Sequence, residues 1–273
     1  MTQPARMAAT RRHGLMTAAL LTVALTGTAC TGVARGSADR EGRPGRTGAA
    51  WVADGGYVRS FLLDAGGEGG VVLVDAGSET DAATIRGVLA AMGRTVRDVS
   101  TILLTHAHLD HVAGVPAFPD ATVMALDAEV PLVQGEVEAR SPFGRSPLGW
   151  FFRVEKGLRV HRALHDGETL TVGALAFRVH ALPGHTDGSA AYACGDLLFL
   201  GDAAYGRGPD LLEGPKWVFS HDIGQGEAAL AALADRIDRQ REQPAWLLPA
   251  HTPPVAGIAP LKDFARAVKT RRP

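Results

Sequence analysis

The chain has 273 residues, of which 46% are apolar and 21% charged, with a formal net charge of -1. That length and apolar share suit one large domain or two small ones around a full core, and they exclude a globally disordered chain. The near-zero net charge leaves no basic footprint, which excludes nucleic acid as a partner.

Arg6, Arg11 and Arg12 precede an apolar run from about Leu15 to Ala29, and no acid occurs before Asp39. A basic stretch followed by an apolar run too short for a comfortable membrane span reads as an export signal. Thr10-Arg11-Arg12-His13-Gly14-Leu15 has twin-arginine character, the pattern of export in a folded, metal-loaded state, with Gly14 where an apolar residue is usual. Plain Sec export is the other reading. Gly27-Thr28-Ala29-Cys30 resembles the lipidated cysteine of a bacterial lipoprotein signal, with Gly27 where Leu is usual. Ordinary cleavage near Ala29 is the alternative. The expected organisation is a signal over residues 1–30, a flexible linker over 31–50, rich in Gly, Arg and Ser, and a folded domain over 51–273. The expected location is exported: a cell-envelope lipoprotein attached to the membrane through a lipid on Cys30, or a secreted or periplasmic protein. Only Cys30 and Cys194 occur, so no disulfide framework is expected, and Cys194 reads as a small buried strand residue.

Two strands, Tyr57–Leu63 and Val71–Val74, flank a glycine-rich turn at 66–70. Ser78 then reads as the cap of a helix with Asp81 three residues on. Ile85, Leu89 and Met92 share one face of that helix, and Gly93 ends it. Val99–Leu104 is largely apolar, as a strand covered on both faces requires. Further strands are expected at Thr122–Leu126, Thr169–Val172, Ala174–Ala181, Ala190–Ala193, Leu197–Leu200 and Trp246–Leu248, with helices over Gly226–Arg239 and Leu261–Lys269. Strand blocks mixed with helices predict an α/β fold of two sheets sandwiched between helices. The segment Gln134–Asp166 carries Phe143, Trp150, Phe151 and Phe152 among Gly and Pro. It reads either as a lid or pocket wall, or as a surface excursion with a small core of its own.

The strand at Val99–Leu104 leads straight into His106-Ala107-His108-Leu109-Asp110-His111. No packing rule asks for three imidazoles and a carboxylate in six residues. Metal chemistry does, because neutral imidazole and carboxylate oxygen are the usual ligands of zinc. A segment this dense serves two adjacent ions, the arrangement that activates water against an acyl or phosphoryl centre. His13, His161, His165 and His180 read as ordinary surface, strand or signal residues. His221 is a weaker candidate for the pocket.

Thr105–His111, Pro183-Gly184-His185-Thr186, Gly201-Asp202 and Pro249-Ala250-His251 resemble the successive motifs of the metallo-β-lactamase-fold superfamily, with Val74-Asp75-Ala76-Gly77 similar to its early Asp motif. The resemblance implies an αββα sandwich of two mixed sheets. It implies that His106, His108 and His185 bind one metal, that Asp110, His111 and His251 bind a second, and that Asp202 bridges them. Asp75 is then an acceptor that orients ligands. Two zinc ions per chain are expected, with iron or manganese as alternatives. The implied activity is hydrolysis by a metal-bridging hydroxide, with Asp110 holding the nucleophile and passing a proton to the leaving group.

Within that superfamily, His108 stands where flavodiiron oxidoreductases have Glu. Asp202 stands where true β-lactamases generally lack a bridging Asp. Neither an added domain nor a basic face, usual in the nucleases, is visible. Gly201-Asp202-Ala203-Ala204-Tyr205 resembles the segment of N-acyl homoserine lactonases in which a tyrosine binds the substrate carbonyl, which would make Tyr205 catalytic. A tyrosine packed under the metal loop is the plainer reading. The expectation is a hydrolase of a small-molecule ester, a lactone first. A glyoxalase II-type thioesterase and a β-lactamase are the hydrolytic alternatives. A persulfide dioxygenase with one iron is the alternative of another class, and a non-catalytic binder is a third. The oligomeric state is not set by any of these features.

Overall fold

The computed structural model describes residues 45–149 and 158–271. The expected signal, Cys30 and the first part of the expected linker lie outside the described residues, as do Trp150, Phe151 and Phe152.

The first half of the chain builds β1 (Arg46–Thr47), β2 (Ala50–Asp54), β3 (Arg59–Asp64), β4 (Val71–Val74), α1 (Ala83–Ala91), β5 (Val99–Leu103), α2 (Leu109–Val112), β6 (Thr122–Leu126), α3 (Val130–Val133) and β7 (Arg162–Leu164). Its seven strands lie side by side in chain order, antiparallel from β1 to β4 and parallel from β4 to β7. The second half builds β8 (Thr169–Val172), β9 (Leu175–Ala181), β10 (Ala190–Cys194), β11 (Leu197–Gly201), a small hairpin of β12 (Tyr205–Gly206) and β13 (Leu212–Glu213), α4 (Ile223–Gln240), β14 (Trp246–Pro249), β15 (Val255–Ala256) and α5 (Ala259–Arg271). Its six-stranded sheet has the order β15-β14-β11-β10-β9-β8, with β11 and β14 parallel and the other pairs antiparallel.

The strict alternation of side chains along each strand decides the layering. Phe61, Leu63, Val72, Val74 and Leu103 of the first sheet meet Tyr192, Leu197, Phe199 and Leu248 of the second in one buried cluster. Their neighbours Leu62, Leu73 and Ile102 point the other way, onto Ile85, Val88 and Leu89 of α1. On the far side, Leu198, Leu200 and Leu247 pack against Leu230, Leu233 and Ile237 of α4 and Leu261 and Phe264 of α5. Each sheet is thus apolar on both faces and covered on both, which gives the expected αββα order of layers. The Tyr192 hydroxyl, buried between the sheets, donates to the Leu104 carbonyl at 2.6 Å.

Two local expectations are corrected. The flexible linker does not extend to residue 50, because Thr47 pairs with Ala50 and Arg46 with Trp51 in a hairpin. Its turn needs Gly48, at φ 57°, a left-handed conformation that glycine adopts without strain. The Arg46 guanidinium lies 4.9 Å from the centre of the Trp51 ring, so residues that read as tether hold down the sheet edge. Nor does Ser78 cap α1. The chain enters that helix through Ala82 in the left-handed region. The Glu79 carboxylate takes the Thr84 N–H at 2.7 Å and the Thr84 hydroxyl at 2.9 Å, and so performs the capping. Elsewhere α4 starts three residues before the expected Gly226, because Asp222 caps it by accepting the Gln225 N–H at 2.9 Å.

Candidate metal centre

All seven histidines and aspartates singled out for metal binding come together at one edge of the sandwich. His106, His108, Asp110 and His111 follow β5, the last two on the single turn of α2. His185 lies in the β9–β10 loop, Asp202 directly after β11 and His251 just beyond β14. The first sheet therefore supplies one part of the donor set and the second sheet the other, at the strand ends where α/β sheets gather ligands.

Three imidazole nitrogens form a near-equilateral triangle. His106 Nε2 is 3.1 Å from His108 Nδ1 and 3.2 Å from His185 Nε2, and His185 Nε2 is 3.0 Å from His108 Nδ1. A tetrahedral zinc with nitrogen bonds of about 2.0–2.1 Å spaces its ligands by about 3.3 Å, so the triangle has the size of a zinc-binding face. Beside it, Asp110, His111 and His251 form a second group whose donor atoms lie within 4.8 Å of one another. Asp202 sits between the two. Its Oδ2 is 3.6 Å from His185 Nε2 and 3.1 Å from His251 Nε2, and its Oδ1 is 3.3 Å from His111 Nε2.

The opposite ring nitrogens show why these atoms face inward. Thr105 Oγ1 donates to Asp75 Oδ2 at 2.7 Å, so it accepts from His106 Nδ1 at 3.1 Å. Ser220 Oγ donates to the Lys216 carbonyl at 2.7 Å and accepts from His185 Nδ1 at 3.1 Å. His111 Nδ1 donates to Asp75 Oδ2 at 2.8 Å, and His251 Nδ1 to the Tyr57 carbonyl at 2.5 Å. Each bond places the ring proton on Nδ1 and leaves the Nε2 lone pair for a cation. Asp75 does this from φ 58°, a left-handed conformation that Asp tolerates better than most residues. Gly201 serves the same end by being small. A Cβ there would lie 2.5 Å from Thr105 Oγ1 and break the Thr105–Asp75 link.

The electrostatics ask for positive charge. Burial holds His106 and His185 well below the usual histidine range and brings His108 to about 4, the neutral form that metal ligation requires. Burial also works against charge on His111 and His251, but the surrounding carboxylates overcome it. Asp75, Asp110 and Asp202 raise His111 well above its usual value, and bonds to Asp110 and Asp202 lift His251 to about 10. Burial would raise Asp202, yet His111 and His251 hold it well below the usual carboxylate range. Among the described residues, His111 Nε2 and Asp202 Oδ1 are buried with no hydrogen-bond partner. Buried polar atoms are rarely left so, and a divalent cation between them satisfies both. The donor set fits divalent metal.

Tyr205 lies against the donor set. Its hydroxyl donates to Asp202 Oδ2 at 2.8 Å, and its ring lies parallel to His251, 5.8 Å away. Its hydroxyl proton is engaged by that carboxylate. Sequence reasoning missed Glu129. This buried carboxylate accepts the Ala107 N–H at 2.7 Å, the Thr186 hydroxyl at 2.8 Å and the Gly188 N–H at 2.9 Å, and burial raises its pKa to about 7. It clips the His106–His108 loop to the His185 loop. In sequence it is one acid in Asp127-Ala128-Glu129, which looks like a solvated turn. Of the remaining histidines, His221 bonds Arg140 and Asp187 beside the site, whereas His161 accepts from Val123 N–H and His165 pairs with Asp127. Cys194 is buried in β10, where burial pushes its thiol up to about 11.

A cavity of about 1020 Å³ opens over His108, Asp110, Asp202 and His251. Val137, Ala139, Phe143 and Gly144 line it, so the described part of the 134–166 segment is a wall of this pocket.

A four-layer sandwich with adjoining His/Asp groups at one edge defines a protein whose donor atoms suit divalent metal. The sequence model of the metallo-beta-lactamase superfamily matches residues 53–251, and the chain belongs to that superfamily. The uncharacterized protein YobT of Bacillus subtilis (strain 168) is 31% identical over 169 residues, 59% of this chain and 69% of that protein. A hydroxyacylglutathione hydrolase of Jannaschia sp. (strain CCS1) is 33% identical over 133 residues, 49% of this chain; this chain spans only 41% of that relative. Among solved structures, the subclass B3 metallo-beta-lactamase BJP-1 of Bradyrhizobium japonicum superposes with a TM-score of 0.59 at 19% identity, covering 82% of this chain and 89% of that one, a likeness of fold.

Proposed function

We propose that the protein is a metal-dependent hydrolase that opens a small-molecule carboxylic ester, a lactone foremost, with two zinc ions. The observation that carries this reading is the sharing of Asp202 between the three-imidazole group and the Asp110, His111 and His251 group. Such an ion pair, when bound, supplies a water acidified to about neutral pH and a Lewis acid for a carbonyl oxygen. The chain's own residues do the rest. The tied Nδ1 atoms keep the ligand nitrogens aimed, and Tyr205 steadies Asp202. Asp110 lines the cavity beside His251 Nε2, at 3.3 Å. There it takes a proton from the attacking water and delivers it to the departing alkoxide, which balances the cleavage. No serine or cysteine nucleophile is needed.

A thioester is the second reading, favoured by the relatives named hydroxyacylglutathione hydrolase. The test is metal analysis together with turnover. Two zincs per chain and chelator-sensitive lactone opening at a kcat/KM of ~10⁴ M⁻¹s⁻¹ or better is the expected result. One iron per chain with no hydrolysis of ester, lactone or thioester would overturn it in favour of an oxidoreductase. We also propose that the chain is exported and anchored through Cys30; palmitate labelling that survives Cys30→Ser would refute the anchor.

A further inference from the structure

We infer that the substrate carries an uncharged, bulky hydrocarbon acyl group, seated between the wall at 132–144 and the loop at 216–219. The inference rests on the hydrolase reading and deepens it.

The chemistry of the walls points first to hydrocarbon. Leu109, Leu132, Val137, Phe143 and Phe219 all line the cavity over the metal ligands. Val137 is 52% exposed and Phe219 39% exposed. Apolar side chains held open beside a reactive centre gain by being covered, and a hydrocarbon ligand is what covers them.

The walls are also fixed to one another. Phe143 N–H donates to the Val218 carbonyl at 2.9 Å, and Arg140 N–H to His221 Nε2 at 2.8 Å. Arg140 also pairs with Asp187 in the His185 loop. The Phe143 and Phe219 rings then meet edge to face, 5.3 Å apart. Two segments far apart in sequence thus present one aromatic surface, tied to the His185 loop by the Arg140–Asp187 pair and by the His221 N–H, which donates to the His185 carbonyl at 3.0 Å.

Charge argues against an anionic glutathione conjugate. The described lining includes Asp110, Glu138 and Asp202, and its one cation is Lys216. Lys216 Nζ is already bonded to Glu213 Oε2 at 2.7 Å and lies 4.9 Å from the centre of the Tyr205 ring. A dicarboxylate such as a glutathione conjugate would meet no unpaired cation among the described lining side chains.

The test uses the full zinc-loaded chain and a series of butanoyl, octanoyl and dodecanoyl homoserine lactones, with lactoylglutathione as the anionic comparison. The expected kcat/KM rises about three- to fourfold per added methylene until the pocket is filled, and lactoylglutathione is the poorest substrate. Phe219→Asp should flatten that rise with metal content unchanged by elemental analysis. Turnover that ignores chain length, or that favours lactoylglutathione, would overturn the inference. Nile red binding, read by fluorescence and displaced by a neutral dodecanoyl amide, separates this inference from the hydrolase reading. Displacement lost in Phe219→Asp, with no turnover of any substrate, would keep the hydrocarbon site and sink the hydrolase. No Nile red binding and no turnover would sink both.

Discussion

Tyr205 and Asp202 are joined by one hydrogen bond, the phenol donating to Oδ2 at 2.8 Å, on the same carboxylate oxygen that faces His251 and His185. Burial, reinforced by the Asp202 charge, pushes the Tyr205 pKa far above its usual value, so the phenol remains a donor at any working pH. A bond to a charged acceptor contributes about 1.5–3 kcal/mol. Tyr205→Phe should therefore retain both metals and lower kcat by roughly 10- to 100-fold with KM little changed. Steady-state kinetics beside metal analysis checks this, and a raised KM with kcat intact would make Tyr205 a substrate contact instead.

Glu129 accepts three donors from two ligand-bearing loops, and only a carboxylate offers acceptors on both oxygens. In Glu129→Gln the amide nitrogen must face at least one of those donors. The expected result is a loss of about 10- to 100-fold in metal affinity, the usual effect of disturbing groups that orient ligands. It should be confined to the His106, His108 and His185 position. Competitive chelator titration resolves the two positions, and equal weakening of both would show that Glu129 merely supports the fold.

His251 and Asp110 belong to the second group. His251→Ala should leave one metal per chain, and a stoichiometry of two would remove His251 from the donor set. Asp110→Asn should lower kcat by about 10²-fold or more, the scale of general acid–base catalysis, with circular dichroism unchanged. Retained activity would cancel its proposed proton-transfer role.

His180 gives a pH prediction away from the metals. It is 0% exposed on β9, and neither ring nitrogen makes a hydrogen bond among the described residues, its Nε2 standing 3.5 Å from Glu242 Oε2. Burial, then the Arg236 charge, lowers its pKa to about 4. The unfolded chain takes up this proton below about pH 6.5, whereas the folded chain resists until about pH 4. Stability from a neutral His180 is therefore fully present above pH 6.5 and is lost as pH falls toward 4, by roughly 3 kcal/mol in all. His180→Leu should make the denaturation midpoint less dependent on pH across that window. An unchanged slope would show that other groups set the acid sensitivity.

The clustered His and Asp residues were legible because the chemistry is dense and local. His106, His108, Asp110 and His111 crowd one hexapeptide, and His185, Asp202 and His251 follow strands whose apolar runs are plain. Val71–Val74, Thr122–Leu126 and Thr169–Val172 carry enough β-branched or apolar residues to show both ends of the strand. What supports the site was not legible, because it depends on tertiary contact. Glu129 gains its role from loops 22 and 57 residues away in the chain. Ser220 matters only because its hydroxyl donates to the Lys216 carbonyl, which leaves its oxygen to accept from His185. Tyr205 could be placed near Asp202 by spacing, but the direction of its hydroxyl could not. Ser78 failed as a cap because Glu79 reaches Thr84 first, and β7 was missed because Arg162-Ala163-Leu164 is too short and mixed to show a period.

The division of the donor set between the two sheets has a mechanical consequence. Metal entering the site rivets two half-molecules together across their shared face, so ion binding should register as resistance to separation of the sheets. Stabilisation then grows with the logarithm of free metal concentration above the dissociation constant. The seam between the halves falls at the Asp166-Gly167 turn, between β7 and β8. A chain nicked there would hold its ions only while both fragments remain docked, and stripping the ions would loosen the docking.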